Sequence, residues 1–175
     1  MLTVELVWNM VKRHSALIPL SNEHFSHLVY AKRLREGKPS NIESNWPENS
    51  NEKQLIAQSK EYFTVDMLHH FDLEEKEVFP IYNMYLDENS EEKKLLNFIL
   101  DHHQIVKQKI YSIDDLEGKE LINKLKEIGT DIEEHIRKEE RQLFEDIQKK
   151  IPTDELLEIG KILKEKSVLK CSNYL

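Results

Sequence analysis

Two segments of the chain repeat each other in register, and this repeat restricts the possible folds more than any other feature. HFDLEEKEVFP begins at His70 and HIRKEERQLFE begins at His135, an offset of 65 residues. Both copies contain a histidine, a pair of glutamates, an aliphatic residue and a phenylalanine at matching positions. The histidine precedes the first glutamate by four residues, so both side chains would lie on one face of a helix. We therefore expect two similar helices, each with a polar pair on one face.

A weaker match relates NEHFSHL around His24 to LDHHQIV around His102. In each segment an acidic residue is followed by a histidine, with an aliphatic residue one turn later. The two halves of the chain are thus predicted to be helix hairpins, each with one lone histidine and one His-Glu pair. Such repetition is typical of a pseudo-symmetric bundle that holds two metal ions.

Hydrophobic periodicity supports a helical bundle, because apolar residues recur at steps of three and four in several stretches. Polar residues interrupt each stripe near its middle. One stripe consists of Leu121, Leu125, Ile128, Ile132, His135, Glu139, Leu143 and Ile147; another of Leu95, Ile99, His102, Val106 and Ile110; and a third of Leu20, His24, His27, Ala31 and Leu34. Asp66, His70 and Glu74 share a face of a fourth helix.

Capping and breaking residues predict where these helices begin and end. The first helix is expected over 21–36, after Ser21, and Gly37, Pro39 and Pro47 then indicate a long loop over 37–51. The second would begin at Asn49 or Ser50 and stop at Phe79 before Pro80. The third would run from 90 to 113 with Ser90 as its cap, the fourth from 119 to 150, and a short final helix from 155 to 166.

Composition narrows the class of protein. The chain has 175 residues, of which 33% are charged, with only four glycines and five prolines, so one all-α domain over 1–175 is expected. The net charge of −8 is spread through the chain, which makes nucleic acid a poor partner. Cys171 is the only cysteine. The sequence has neither a secretory signal nor an apolar run that could span a bilayer, so a cytoplasmic protein without a membrane partner is expected.

The polar residues within the stripes require compensation, because an ionised carboxylate in a helical core is costly without a partner. A metal ion would provide it. Neutral imidazole nitrogens donate lone pairs, and a carboxylate supplies negative charge and can bridge two ions. His70 with Glu74, and His135 with Glu139, could each hold one centre from a single helix. His69 and His103 lie about 100° around the helix from their neighbours, which favours supporting or surface roles for them.

In four segments the chain resembles the bacterial hemerythrin-like family, also called HHE cation-binding domains. The segments are ALIPLSNEHFSHLVYAKRLR, HHFDLEEKEVFP, ILDHHQIVKQKI and EEHIRKEERQLFE. The resemblance covers roughly residues 14–150 and depends on the ordered series His, HxxxE, His, HxxxE. It implies an up-down four-helix bundle around a non-haem di-iron site, with zinc or manganese as alternative metals. The metal ligands that it implies are His24, His70, Glu74, His102, His135 and Glu139.

One position departs from the oxygen-carrying hemerythrins, which have HxxxH on the third helix. Here the residue four after His102 is Val106. His27 and Asp66 are the local candidates for an additional ligand. A missing ligand could equally leave an open coordination position for oxygen, nitric oxide or water.

Three functions follow as hypotheses. The first is a protein that binds or senses oxygen, nitric oxide, iron or redox state at a di-iron centre. The second is an oxidase or peroxidase-like enzyme that uses the same centre. The third is a bundle that a metal only stabilises. Four histidines against two glutamates favour ligand binding over oxygen activation, since anionic ligands stabilise high-valent iron.

Overall fold

The computed structural model describes residues 12–36 and 52–172, with side chains described as far as residue 167. Every regular element in these ranges is helical, which confirms the all-α prediction. The loop predicted for 37–51 and the helix cap at Asn49 or Ser50 lie outside the described residues.

The described chain forms five helices. A 3₁₀ turn, Ser15–Leu17, leads into α1, Ile18–Glu36. Helix α2 (52–83) joins the α-helical segments Glu52–Tyr62, Leu68–Leu73 and Phe79–Asn83 through the π-helical turns Phe63–Met67 and Glu74–Val78. Helix α3 is Glu91–Tyr111. Helix α4 (118–150) contains Gly118–Lys138, a π-helical turn at Glu139–Leu143, and Phe144–Lys150, and α5 is Thr153–Ser172. None of the described helices is long and apolar enough to cross a membrane.

Two of the prolines near predicted helix ends, Pro19 and Pro80, lie inside helices instead. Helix α1 begins at Ile18, before Pro19, and not at Ser21 as predicted. Proline is tolerated in a first turn because the N–H that it lacks has no intrahelical acceptor there. Helix α2 likewise continues past Phe79 to Asn83, because the π-helical turn Glu74–Val78 places Pro80 at the start of a new α-helical segment.

The remaining boundaries agree more closely with prediction. Ser90 caps α3 as expected, since its Oγ accepts a hydrogen bond from the Lys93 N–H at 3.1 Å. Helix α4 covers the predicted range with one additional residue, Gly118, whose φ of 53° suits glycine. Helix α5 is longer than the short final helix predicted for 155–166.

The first four helices pack as an up-down bundle. Helix α1 lies against α4, α4 against α3, and α3 against α2, while α5 covers the start of α1 and part of α2. The closest approach is between α1 and α4 at Gly129, where a Cβ atom would lie 2.5 Å from the carbonyl oxygen of Ala31. Glycine at this position lets the two backbones meet.

The core is divided into two apolar clusters. One contains Leu20, Val78, Ile99 and Leu143, and the other contains residues such as Leu34, Met67, Val106 and Ile132. Each of the four bundle helices contributes to both clusters. Between them lies a layer of buried histidines and glutamates, so the interruptions of the predicted stripes coincide in space.

Candidate metal centre

The polar layer consists of side chains that are at most 2% exposed and that come from all four bundle helices. Its members are His24 and His27 from α1, His70 and Glu74 from α2, His103 from α3, and His135 and Glu139 from α4. Burial of this kind removes water as a hydrogen-bonding partner. The side chains must therefore satisfy one another or bind a cation.

These seven residues and Glu23 form three groups with metal-binding geometry, and in each group the potential ligand atoms lie within 4.8 Å of one another. The first is His24, His70, Glu74 and Glu139; the second is Glu74, His103, His135 and Glu139; and the third is Glu23, His27 and His70. The first two share both glutamates. They therefore form one site with two adjacent halves.

Glu74 faces both halves with different oxygens. Its Oε1 lies 3.3 Å from His70 Nε2 and 3.7 Å from His24 Nε2. Its Oε2 lies 3.5 Å from His103 Nε2. A carboxylate in this position can bind two ions through its two oxygens.

Glu139 lies between the same halves from the opposite side of the bundle. Its Oε2 is 3.2 Å from His24 Nε2 and 3.1 Å from His135 Nε2, and its Oε1 is 4.0 Å from His103 Nε2. Glu74 and Glu139 each begin a π-helical turn, and the backbone carbonyl of each accepts from the N–H of the residue five positions later. Such turns often occur at functional sites.

Hydrogen bonds on the outer side of the rings orient three of the histidines. His24 Nδ1–H donates to Glu140 at 2.6 Å, His70 Nδ1–H to Glu23 at 2.9 Å, and His103 Nδ1–H to Glu75 at 2.7 Å. A proton held on Nδ1 leaves the Nε2 lone pair directed into the layer. Carboxylate partners of this kind also raise the basicity of a metal-binding imidazole.

Sequence reasoning missed these three glutamates, although the repeat contains a signal for two of them. Glu75 and Glu140 are the second residues of the repeated Glu-Glu pairs. Glu75 on α2 binds His103 on α3, and Glu140 on α4 binds His24 on α1. The second glutamate of each repeat thus supports the lone histidine of the other hairpin.

The charges within the layer compensate one another. Burial opposes protonation of His24, but Glu139, Glu140 and Glu74 together outweigh it and hold the pKa of His24 well above its ordinary value. Burial also opposes ionisation of Glu139, yet His135 and His24 hold its pKa well below the usual range. For His103, burial dominates and lowers the pKa. Two buried carboxylates are therefore kept ionised by positive charge on the surrounding rings.

Hydrogen-bond geometry nevertheless leaves inward-facing atoms unsatisfied. His24 Nε2, His70 Nε2 and both oxygens of Glu74 and of Glu139 are buried without a hydrogen-bond partner among the described residues. Buried polar atoms without a partner are uncommon in proteins and each one is costly. Two imidazole lone pairs and two carboxylates per half form a donor set that suits a divalent transition metal.

The structure corrects the predicted placement of His102. His103, and not His102, faces Glu74 and contacts His135, with 3.1 Å between the two Nε2 atoms. His102 is about half buried outside the three groups, and its ring stacks between those of Phe98 and His135. For His103 the sequence predicted a supporting or surface role, whereas the structure buries its side chain completely and includes it in the second group.

The two additional candidates have different positions. His27 belongs to the third group, with Glu23 and His70. Asp66 belongs to none of the three groups. It lies in the π-helical turn Phe63–Met67, before the α-helical segment Leu68–Leu73 that contains His70.

Comparison with known families gives one match. The model of the family described as "Hemerythrin HHE cation binding domain" matches residues 10–147. This range contains α1, α2 and α3, all of α4 except its last three residues, and every residue of the three groups. Comparison with curated proteins gave no match, and neither did comparison with solved structures.

Proposed function

The chain belongs to the hemerythrin HHE cation-binding family, and on that premise we propose that it binds two non-haem iron ions. The proposed ligands are His24, His70, Glu74, His135 and Glu139, as the sequence predicted, with His103 in place of His102. In this arrangement Glu74 and Glu139 bridge the two ions. The observation that carries the proposal is that two four-residue groups share both buried glutamates.

The charge of the donor set supports two divalent ions. Two carboxylates at the centre of an apolar bundle provide negative charge that no lysine or arginine reaches among the described ion pairs of Glu74 and Glu139. Protonated histidines compensate it in the absence of metal. Metal ions would replace those protons, because a histidine ligand must bind as neutral imidazole.

The centre is suited to a small ligand. Each half supplies two histidines and two shared glutamates, and iron sites with few protein ligands retain open positions for an exchangeable ligand. Bound iron would supply coordination of a diatomic molecule such as oxygen or nitric oxide. The protein residues exclude bulk water, since every proposed ligand is at most 2% exposed. We therefore favour binding or sensing of a diatomic ligand over oxidase chemistry.

Anaerobic iron loading tests this function. The purified protein should retain two equivalents of iron after desalting, and exposure to oxygen should produce the charge-transfer absorption bands of a ferric pair. Substitution of Glu139→Gln should lower iron affinity by more than about 100-fold, because loss of a supporting residue alone costs about 10–100-fold. Glu134→Gln provides a matched control, since Glu134 is an exposed glutamate on the same helix.

The same preparation separates the alternatives. Stopped-flow mixing of the reduced protein with oxygen should yield a species that is stable and reversible on removal of oxygen. Rapid oxidation with turnover of an added reductant would instead support an oxidase or peroxidase. Failure to retain iron, or equal retention by Glu139→Gln and wild type, would reject the proposed centre.

A further inference from the structure

The third group of potential ligands combines one partly exposed side chain, that of Glu23, with two buried histidines. Glu23 and His27 are four residues apart on α1, so both point toward α2, where His70 lies. The Glu23 side chain is 16% exposed, whereas His27 and His70 are each 1% exposed. Glu23 is therefore the member of this group that is most accessible to solvent.

The two ring nitrogens of His70 lie next to two different carboxylates, one on the outer side of the layer and one on the inner side. Nδ1 lies 2.9 Å from Glu23 Oε2 on the outer side, and Nε2 lies 3.3 Å from Glu74 Oε1 on the inner side. A neutral imidazole has one nitrogen available as a ligand at a time. An ion on the outer side would require the proton on Nε2, and an ion on the inner side would require it on Nδ1.

His27 is oriented in the same manner as the histidines of the centre. Its Nδ1 lies 3.1 Å from the Tyr62 hydroxyl, and its ring centroid lies 4.8 Å from that of His70 at an interplanar angle of 75°. The contact with Tyr62 fixes the ring on its outer side. The opposite edge of the ring is then directed toward the shared group.

The other hairpin has no such group, although its residues occupy equivalent positions. His103 corresponds to His24 in the placement of its ring, so His102 corresponds to Glu23 and Val106 to His27. A carboxylate and an imidazole are thus replaced by an imidazole and an aliphatic side chain beside His135. The outer group is specific to the half of the centre that contains His70.

We propose that Glu23, His27 and His70 form an outer binding position for a divalent metal ion on its way into the bundle. The proposal rests on the metal-binding function proposed above. The outer position has one carboxylate and two imidazoles. The inner position, which consists of His24, His70, Glu74 and Glu139, has two carboxylates and two imidazoles. Because negative charge strengthens the binding of a divalent cation, the ion is held more tightly on the inner side. His70 is shared, so the two positions are filled in sequence.

Cobalt(II) uptake by the full-length, metal-free protein tests the proposal, with stopped-flow absorption as the readout. Glu23→Gln and His27→Phe should each slow uptake by about tenfold or more, since a charged lining of this kind raises association rates by about 10–10³-fold. At saturating cobalt both variants should still bind as many ions as wild type, and Glu23→Gln should in addition bind them more weakly, because it loses the carboxylate that orients His70. Circular dichroism melting would establish that each variant is folded, and Glu23→Gln changes no apolar packing.

Two further variants distinguish an effect on the first binding of cobalt from effects of surface charge and of the orientation of the histidines. Asp72→Asn removes a negative charge from the exposed surface of α2, where Asp72 pairs with Lys76, and should leave uptake close to the wild-type rate. Glu75→Gln removes the carboxylate partner of His103, and Glu75 belongs to none of the three groups of potential ligands. It should mainly accelerate cobalt release.

The possible failures are distinguishable. Uptake by Glu23→Gln and His27→Phe at the wild-type rate would overturn the outer position and leave the proposed centre intact. Loss of one bound equivalent in His27→Phe would also overturn it, by making His27 a permanent ligand of the centre. Absence of cobalt binding in the wild-type protein would overturn the proposed function itself.

Discussion

At the scale of single residues, the main correction concerns adjacent histidines on α3. The buried residues of this helix are Leu96, Ile99, His103, Val106 and Ile110, which follow steps of three and four in strict alternation. The stripe predicted through Leu95 and His102 has less regular steps but uses many of the same residues. A strictly alternating register would have selected His103 from the sequence.

This correction yields the first prediction. His103→Ala should lower iron affinity by more than about 100-fold, whereas His102→Ala should lower it much less, because His102 is only a stacking neighbour of His135. Iron titration of the two variants under anaerobic conditions provides the measurement. Stronger loss in His102→Ala than in His103→Ala would contradict the assignment.

At the scale of helices, π-helical turns interrupt the regular α-helical geometry of α2 and α4. The two π-helical turns that begin at Glu74 and Glu139 are separated by the same 65 residues as the sequence repeat. The repeat was therefore a signal of shared backbone geometry as well as of shared ligands. In α2 this geometry also explains why Pro80 does not end the helix.

The contact between α1 and α4 gives a prediction at this scale. Alanine normally stabilises a helix by about 1 kcal/mol relative to glycine. At Gly129, however, the added methyl group would lie 2.5 Å from the Ala31 carbonyl oxygen, so the helices must separate. Gly129→Ala should therefore lower the free energy of unfolding by about 1–3 kcal/mol.

Urea denaturation followed by circular dichroism measures this change. Asn123→Ala is a suitable control, because Asn123 is exposed on α4 and its substitution should be neutral or slightly stabilising. Stabilisation by Gly129→Ala to the same degree as by Asn123→Ala would show that the close approach of the two helices is not required.

At the scale of the whole molecule, the bundle consists of two apolar clusters separated by a charged layer. The clusters provide the hydrophobic stabilisation, while the layer concentrates two carboxylates and five imidazoles that are at most 2% exposed. Without metal, the unsatisfied polar atoms of this layer destabilise the fold. Metal binding would satisfy them with coordination bonds that connect all four helices. Folding stability and metal occupancy should therefore be coupled.

Metal removal gives the corresponding prediction. At a free metal concentration about 100 times Kd, binding should stabilise the fold by roughly 2.7 kcal/mol, which corresponds to a Tm increase of about 5–10 °C. Calorimetry before and after chelation, followed by reloading, measures the shift. Glu139→Gln should melt at the same temperature with and without added metal, and an equal shift in this variant would place the stabilising ion elsewhere.

The sequence was sufficient to predict the helical class, the two hairpins and the buried polar face of α1, α2 and α4, because these depend on local periodicity. Ser90 as a cap, and His70 and Glu74 on one face of a helix, follow from spacing within a few residues. The apolar spacing in α3 likewise predicts a helix, and it does so whether His102 or His103 faces inward.

The remaining features depend on contacts between segments that are distant in the chain. Whether His102 or His103 faces Glu74 depends on the rotation of α3 against its neighbours, which a stripe about 100° wide does not settle. The partners of the ring nitrogens, such as Glu140 for His24, come from other helices. The group of Glu23, His27 and His70 likewise exists only because α1 packs beside α2, since proximity across a bundle is decided by packing and not by local sequence.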